Sequence, residues 1–279
     1  MSATVRDETL ISLEVGELSP NLLLRSAEAE DTQNSEQFKQ AASPGYSGIP
    51  EHSTPFHSFL EHSMLFLFPF LLGLTLYFGL VRLYEIKMLW WVLAAFPVAL
   101  LGGDLVTGLV HWFADTYFSE DTPIIGPSMV KPFRLHHIYP RDITTHGVVE
   151  IVGNVCILAV PVLGFCLYLL WLLPESGWLA FKTVCVALLA VTTVLTNQFH
   201  KWAHQEKPSN LVRWLQRKRL VLEPAHHELH HTAPYNLHYC ITNGWLNPLL
   251  NRIKFFRRLE AFLRLFGMEP ANAKYHQHG

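Results

Sequence analysis

Charge is missing from long stretches of this chain. Residues 64–81, 88–103, 151–174 and 183–199 contain no Asp, Glu, Lys or Arg, and only 16% of all 279 residues are charged. Surface helices of a soluble domain need a polar face, so four blocks this free of charge argue against buried core helices of one. Cysteine is sparse as well. Cys156, Cys166 and Cys185 fall in the apolar blocks, Cys240 stands alone, and no CxxC occurs. A disulfide framework, an iron–sulfur cluster or a zinc ribbon therefore lacks support, and the thiols read as reduced packing residues. The first 60 residues have no basic segment leading into an apolar run, so no cleavable signal peptide is expected and the first spanning helix serves as targeting signal. Internal repeats are not evident.

What remains is length and apolarity. A spanning helix needs about 20 mostly apolar residues. Block 151–174 meets this outright, 64–81 does so with its flanks, and 183–199 does so once 178–181 is added. The second block reaches it only by running past Asp104 to Val110. These features predict an all-α integral membrane protein with about four transmembrane helices in a domain spanning 61–279. Residues 1–60, acidic and rich in Ser, Gln, Glu and Ala, read as a disordered tail. From His200 onward there are 12 Lys and Arg against 5 Asp and Glu, whereas residues 1–61 carry 3 against 10. Basic residues mark the cytoplasmic side, while acidic ones count for little. The C-terminal region is then cytosolic, and four spans bring segment 111–149 and the N-terminus to the same side.

Histidine is abundant where charge is not. Of 16 histidines, eleven lie in 111–146 and 200–238, and none lies inside the four uncharged runs. His226-His227-Glu228-Leu229-His230-His231 places four imidazoles within six residues, each with ring nitrogens that need partners. His200-Lys201-Trp202-Ala203-His204 sets two more on one helical face at i,i+4. His111 and Asp115 repeat that spacing, with Asp104 seven residues before His111 on the same face. An intramembrane carboxylate is costly and marks a functional candidate. Asp104 and Asp115 are accordingly the candidate catalytic carboxylates, or groups that orient a ligating imidazole. His136 and His137 are adjacent, so their directions diverge by about 100° on a helix and one or both can ligate. His146, His226 and His238 complete the candidate metal ligands, with His111, His136, His137, His200, His204, His227, His230 and His231. His52, His57, His62, His276 and His278 are given no role. The expectation is a cytosolic histidine-rich metal-binding cap on the membrane bundle.

His227-Glu228-Leu229-His230-His231 also matches HExxH, in which the glutamate of a zinc protease acts as general base. One catalytic zinc takes about three protein ligands. That leaves His111, His136, His137, His200 and His204 unexplained; about eight histidines suit two metal ions. Imidazole accepts Zn, Cu, Fe or Ni, so the ligand type does not choose the metal.

At these residues the chain resembles the Kua-domain family, membrane proteins identified as plasmanylethanolamine desaturases. Gly103-Asp104 followed by Gly108-Leu109-Val110-His111-Trp112-Phe113-Ala114-Asp115 resembles its first signature, His200–His204 its first histidine box and His227–His231 its second. The likeness runs from about residue 60 to the end. The family is related to plastid desaturases of lipid-bound acyl chains and shares histidine boxes more loosely with di-iron fatty-acid desaturases. No separate second HxxHH follows His231, so ligands do not transfer one by one from those distant enzymes. The resemblance implies a two-iron cofactor and O₂-dependent formation of a vinyl ether in an alkyl-ether phospholipid. It also implies cytochrome b5 as electron donor, reduced by NADH through its reductase, and the endoplasmic reticulum membrane as location. A lipid hydroxylase or an acyl-lipid desaturase would use the same cage. A metal transporter would need ionisable residues through several spans, and only Asp104 qualifies.

Residues 249–266 alternate between an apolar face (Phe255, Leu259, Phe262, Leu263, Phe266) and a basic one (Lys254, Arg257, Arg258, Arg264). This pattern fits an interfacial helix that meets anionic lipid or an acidic partner, or a helix packed on the cap. Gln216-Arg217-Lys218-Arg219 is too short for a nucleic-acid site and reads as a membrane-edge turn.

Overall fold

The computed structural model describes residues 55–123 and 125–271, the side chains of 127 and 128 excepted. The described residues are helical with no strands. Four helices are long and apolar enough to cross a membrane: α1 (Pro55–Glu85), α2 (Val92–Thr116, entered through a 3-10 turn at Leu89–Trp91), α4 (Val148–Leu172) and α5 (Gly177–His204). The protein is therefore a multi-pass membrane protein. Between α2 and α4 lies the short α3 (Lys131–Ile138). After α5 come α6 (Asn210–Arg217), α7 (Pro224–Glu228), α8 (Asn247–Arg252) and α9 (Phe255–Arg264).

Local sequence sets the helix ends. Pro55 opens α1, where its fixed φ suits the first turn and its missing N–H costs nothing. Ser176 Oγ accepts from the Leu179 amide at 3.4 Å to start α5, and Glu150 accepts from the Gly147 amide at 2.8 Å to start α4. Pro69, Pro97 and Pro161 lie inside spans, as membrane helices tolerate when neighbours satisfy the freed carbonyls.

Helix α5 packs against α1, α2 and α4, and α1 also packs against α4. Phe68, Ile151, Cys156, Leu163, Ala187 and Val194 fill the centre, while Thr192 on α5 donates to the Ala99 carbonyl of α2 at 3.4 Å. The outward faces are apolar too. Phe66, Leu93 and Trp171 are each 80% exposed, which suits lipid and not water.

Three boundaries differ from the sequence expectation. Residues 55–60, expected to belong to the tail, are already helical, and Glu61 on that polar first stretch is buried, a contact hydropathy does not register. The second span continues straight through Asp104 to Thr116 because that carboxylate is satisfied by backbone amides from elsewhere. Residues 249–266 are two helices, broken where Lys254 adopts left-handed φ of 53°. Phe256 is the buried anchor of α9, and Phe262 and Phe266 remain exposed. The tail before Pro55, His52, His276, His278 and both chain ends lie outside the described residues.

Candidate metal centre

The C-terminal ends of α2 and α5 meet on one side of the bundle, where the ring centroids of His111 and His200 stand 6.2 Å apart. His111 and Asp115 close α2, and His200 and His204 close α5. On the same side, α3 brings His136 and His137, while α7 and the turn after it bring His227, His230 and His231. Arg134 anchors α3 by donating to the Phe118 carbonyl at 2.7 Å, and Gln216 of α6 donates to the Trp202 carbonyl at 3.1 Å.

The side chains fall into two groups with converging donor atoms. His136, His200, His204, His227 and His231 form the first; His111, Asp115, His137 and His230 form the second. Adjacent histidines divide between them, His136 from His137 and His230 from His231, as the divergence of neighbouring positions allows. In the first group His227 Nε2 lies 2.8 Å from His200 Nε2, 2.9 Å from His204 Nε2 and 3.0 Å from His231 Nε2. In the second, His230 Nε2 is 3.0 Å from His111 Nε2, and Asp115 Oδ2 is 3.1 Å from His137 Nε2 and 3.5 Å from His111 Nε2.

Hydrogen bonding does not account for this convergence. A neutral imidazole has one N–H, so four Nε2 atoms meeting at one point oppose several lone pairs. A cation at the centre resolves the conflict. Two nitrogens bonded to one ion at about 2.0–2.1 Å stand about 2.9–3.4 Å apart, the spacing seen here. Both donor sets therefore fit a metal ion, one all-imidazole and one with a single carboxylate.

Electrostatics agrees. Burial first, then the neighbouring imidazoles, holds His136, His227, His230 and His231 well below the ordinary histidine range. They are neutral at physiological pH, the form that binds metal. The second group is buried throughout, whereas His136, His204 and His231 leave the first partly open.

Comparison with known proteins gives this geometry its family. The lipid desaturase domain matches residues 100–273. The chain belongs to the lipid desaturase family. It is 42% identical over 176 residues to a plasmanylethanolamine desaturase of Myxococcus xanthus, covering 62% of this chain and 61% of that protein. It is 38% identical over 187 residues to plasmanylethanolamine desaturase 1 of mouse, covering 62% of this chain and 68% of that protein. Fatty acid desaturase 4, chloroplastic, of Arabidopsis thaliana is 34% identical over 170 residues, or 60% of this chain and 50% of that protein. No solved structure matches the chain significantly.

Four expected site residues stand outside both groups. Asp104 accepts from the backbone amides of Asn243, Gly244 and Leu246 at 3.2, 2.9 and 3.0 Å. His146 sits between carboxylates, with Asp142 at 3.3 Å and Glu150 at 3.2 Å. His226 and His238 pair with each other at 2.9 Å, and burial holds His238 down to about 4. Glu228, the base of an HExxH site, is exposed, and His227 and His231 share their centre with His136, His200 and His204, more donors than the about three protein ligands of a catalytic zinc. Sequence reasoning passed over the carbonyls of Leu237 and Tyr239, which accept from His230 Nδ1 at 2.8 Å and His111 Nδ1 at 3.2 Å. A carbonyl exists at every residue, so composition carries no signal for it. Tyr235, whose ring centroid is 5.3 Å from that of His137, and Phe133, 4.9 Å from His111, also line the site unannounced.

Proposed function

We propose that this lipid desaturase is a plasmanylethanolamine desaturase: an oxidoreductase that forms the vinyl-ether double bond of a plasmalogen from a 1-O-alkyl phospholipid. Two converging donor groups at the same ends of two membrane spans carry the reading. The carbons to be oxidised adjoin the glycerol backbone, so the reaction belongs at headgroup depth, where α2 and α5 end. The likeness to the bacterial and mouse desaturases supports the substrate.

Iron is the metal we assign, one ion to each group, with His136, His200, His204, His227 and His231 holding the first and His111, Asp115, His137 and His230 the second. When bound, the irons supply the O₂-dependent oxidation. The residues supply neutral imidazoles and one carboxylate, fixed ring directions and, in the second group, exclusion of water. The overall balance is one O₂ reduced to two waters, using two hydrogens from the lipid together with two electrons and two protons. Cytochrome b5, reduced by NADH through its reductase, is the electron source we assign. That choice requires the histidine face, and both chain ends, to lie in the cytosol of an endoplasmic reticulum membrane.

Lipid analysis of plasmalogen-deficient cells tests the function. Expression of the chain should restore vinyl-ether lipid, and His204→Ala should not. Cells that accumulate a hydroxylated ether lipid, or desaturated acyl chains with unchanged ether lipid, would overturn it.

A further inference from the structure

Asp104 and Asn247 touch neither donor group, yet both are almost wholly buried and fully bonded, at 0% and 1% exposure. We propose that they are positioning residues for one donor group only, the set His111, Asp115, His137 and His230, acting through the loop 237–246. This rests on the two-ion reading above.

Two carbonyls of that loop, Leu237 and Tyr239, face the Nδ1 atoms of His230 and His111 at 2.8 and 3.2 Å. A carbonyl only accepts, so each ring carries its proton on Nδ1 and presents the Nε2 lone pair. Those two Nε2 atoms stand 3.0 Å apart. One short segment thus fixes tautomer and direction for two of the four ligands.

The segment is itself held. Asn247 closes a pair with Cys240, accepting from its amide at 2.9 Å and donating to its carbonyl at 2.8 Å. The Thr242 hydroxyl bridges Thr107 of α2 at 3.1 Å and Thr196 of α5 at 2.7 Å. Beyond it, Asp104 gathers three amides from 243–246, where Gly244 has the positive φ of 73° that the turn requires. Asp104 and His111 are seven residues apart on α2, so one rigid helix carries both a ligand and the seat of the loop that orients it. In the other group, His227 Nδ1 and His231 Nδ1 are buried without a hydrogen bond. The brace touches that group's elements only away from the ligands, through Asn247 Nδ2 at 3.1 Å from His226 Nε2 and through Thr196 of α5, whereas its direct bonds to ligand rings go to His230 and His111 alone.

Iron per chain, measured on the purified full-length protein, reads this out. Wild type should hold two ions. Asp104→Asn, which turns an amide against the loop N–H groups, should fall towards one, and Asn247→Ser should do the same. In a His204→Ala background Asp104→Asn should leave almost none; in a His111→Ala background it should remove nothing more. A general loosening would lower both backgrounds alike and overturns the proposal, as does a variant that keeps two ions. Fewer than two ions in wild type would instead refute the two-ion reading. Should the variants not fold, nitrogen NMR of zinc-loaded wild type decides: protons on Nδ1 of His111 and His230 support the proposal, and a proton on Nε2 of either overturns it.

Discussion

Acid should unfold the metal-free protein. His136, His227, His230 and His231 are kept neutral in the folded state, first by burial and then by the imidazoles around them, whereas an unfolded chain protonates them near 6.5. The unfolded state therefore binds more protons below that value. Stability is complete above about pH 6.5 and drains away as pH falls. At about pH 5.5 each imidazole costs about 1.4 kcal/mol, and the four together about 5.5 kcal/mol. Whole-domain stabilities are about 5–15 kcal/mol, so this loss brings the metal-free protein to the edge of unfolding. Denaturant titrations in detergent micelles, followed by tryptophan fluorescence from about pH 7.5 to about pH 5.5, measure it. A midpoint that stays constant across that range would refute the neutral, buried imidazoles. Metal loading should move the fall to lower pH, because protons then compete with the ion for the same nitrogens.

His146→Ala removes a side chain outside both donor groups, so turnover in a membrane assay should stay within about twofold; a loss as deep as that of His204→Ala would return His146 to the ligand set. Gly108→Ala puts a Cβ 2.6 Å from Cys240 Sγ and 3.3 Å from Cys240 backbone atoms, which should destabilise the protein by about 1–3 kcal/mol in the same denaturant titration. An unchanged midpoint would mean that the loop is not seated on α2 as described. Glycosylation-site tags at both chain ends should remain unmodified in microsomes, and a glycosylated C-terminus would put the histidine face in the lumen.

The membrane bundle was legible because apolar runs of spanning length have no other use, and pairs at i,i+4 announced His111 with Asp115 and His200 with His204. Asp104 was legible only as an anomaly. Its partners are amides some 140 positions away, which spacing does not reveal. Residue type likewise does not separate His230, whose Nε2 faces the centre, from His226, whose Nε2 faces His238 and Asn247. The start of α1 was hidden because its first two turns carry polar residues. The break at Lys254 was hidden because a lysine gives no warning of a left-handed φ.

The most direct measurement is product formation by the purified protein. Plasmanylethanolamine, O₂, NADH, cytochrome b5 and its reductase are supplied, and the lipid is analysed for an acid-labile vinyl ether. The account predicts that product, abolished when O₂ is withheld and in His204→Ala. A hydroxylated ether lipid, or no change in the ether lipid while an acyl chain is desaturated, would contradict it.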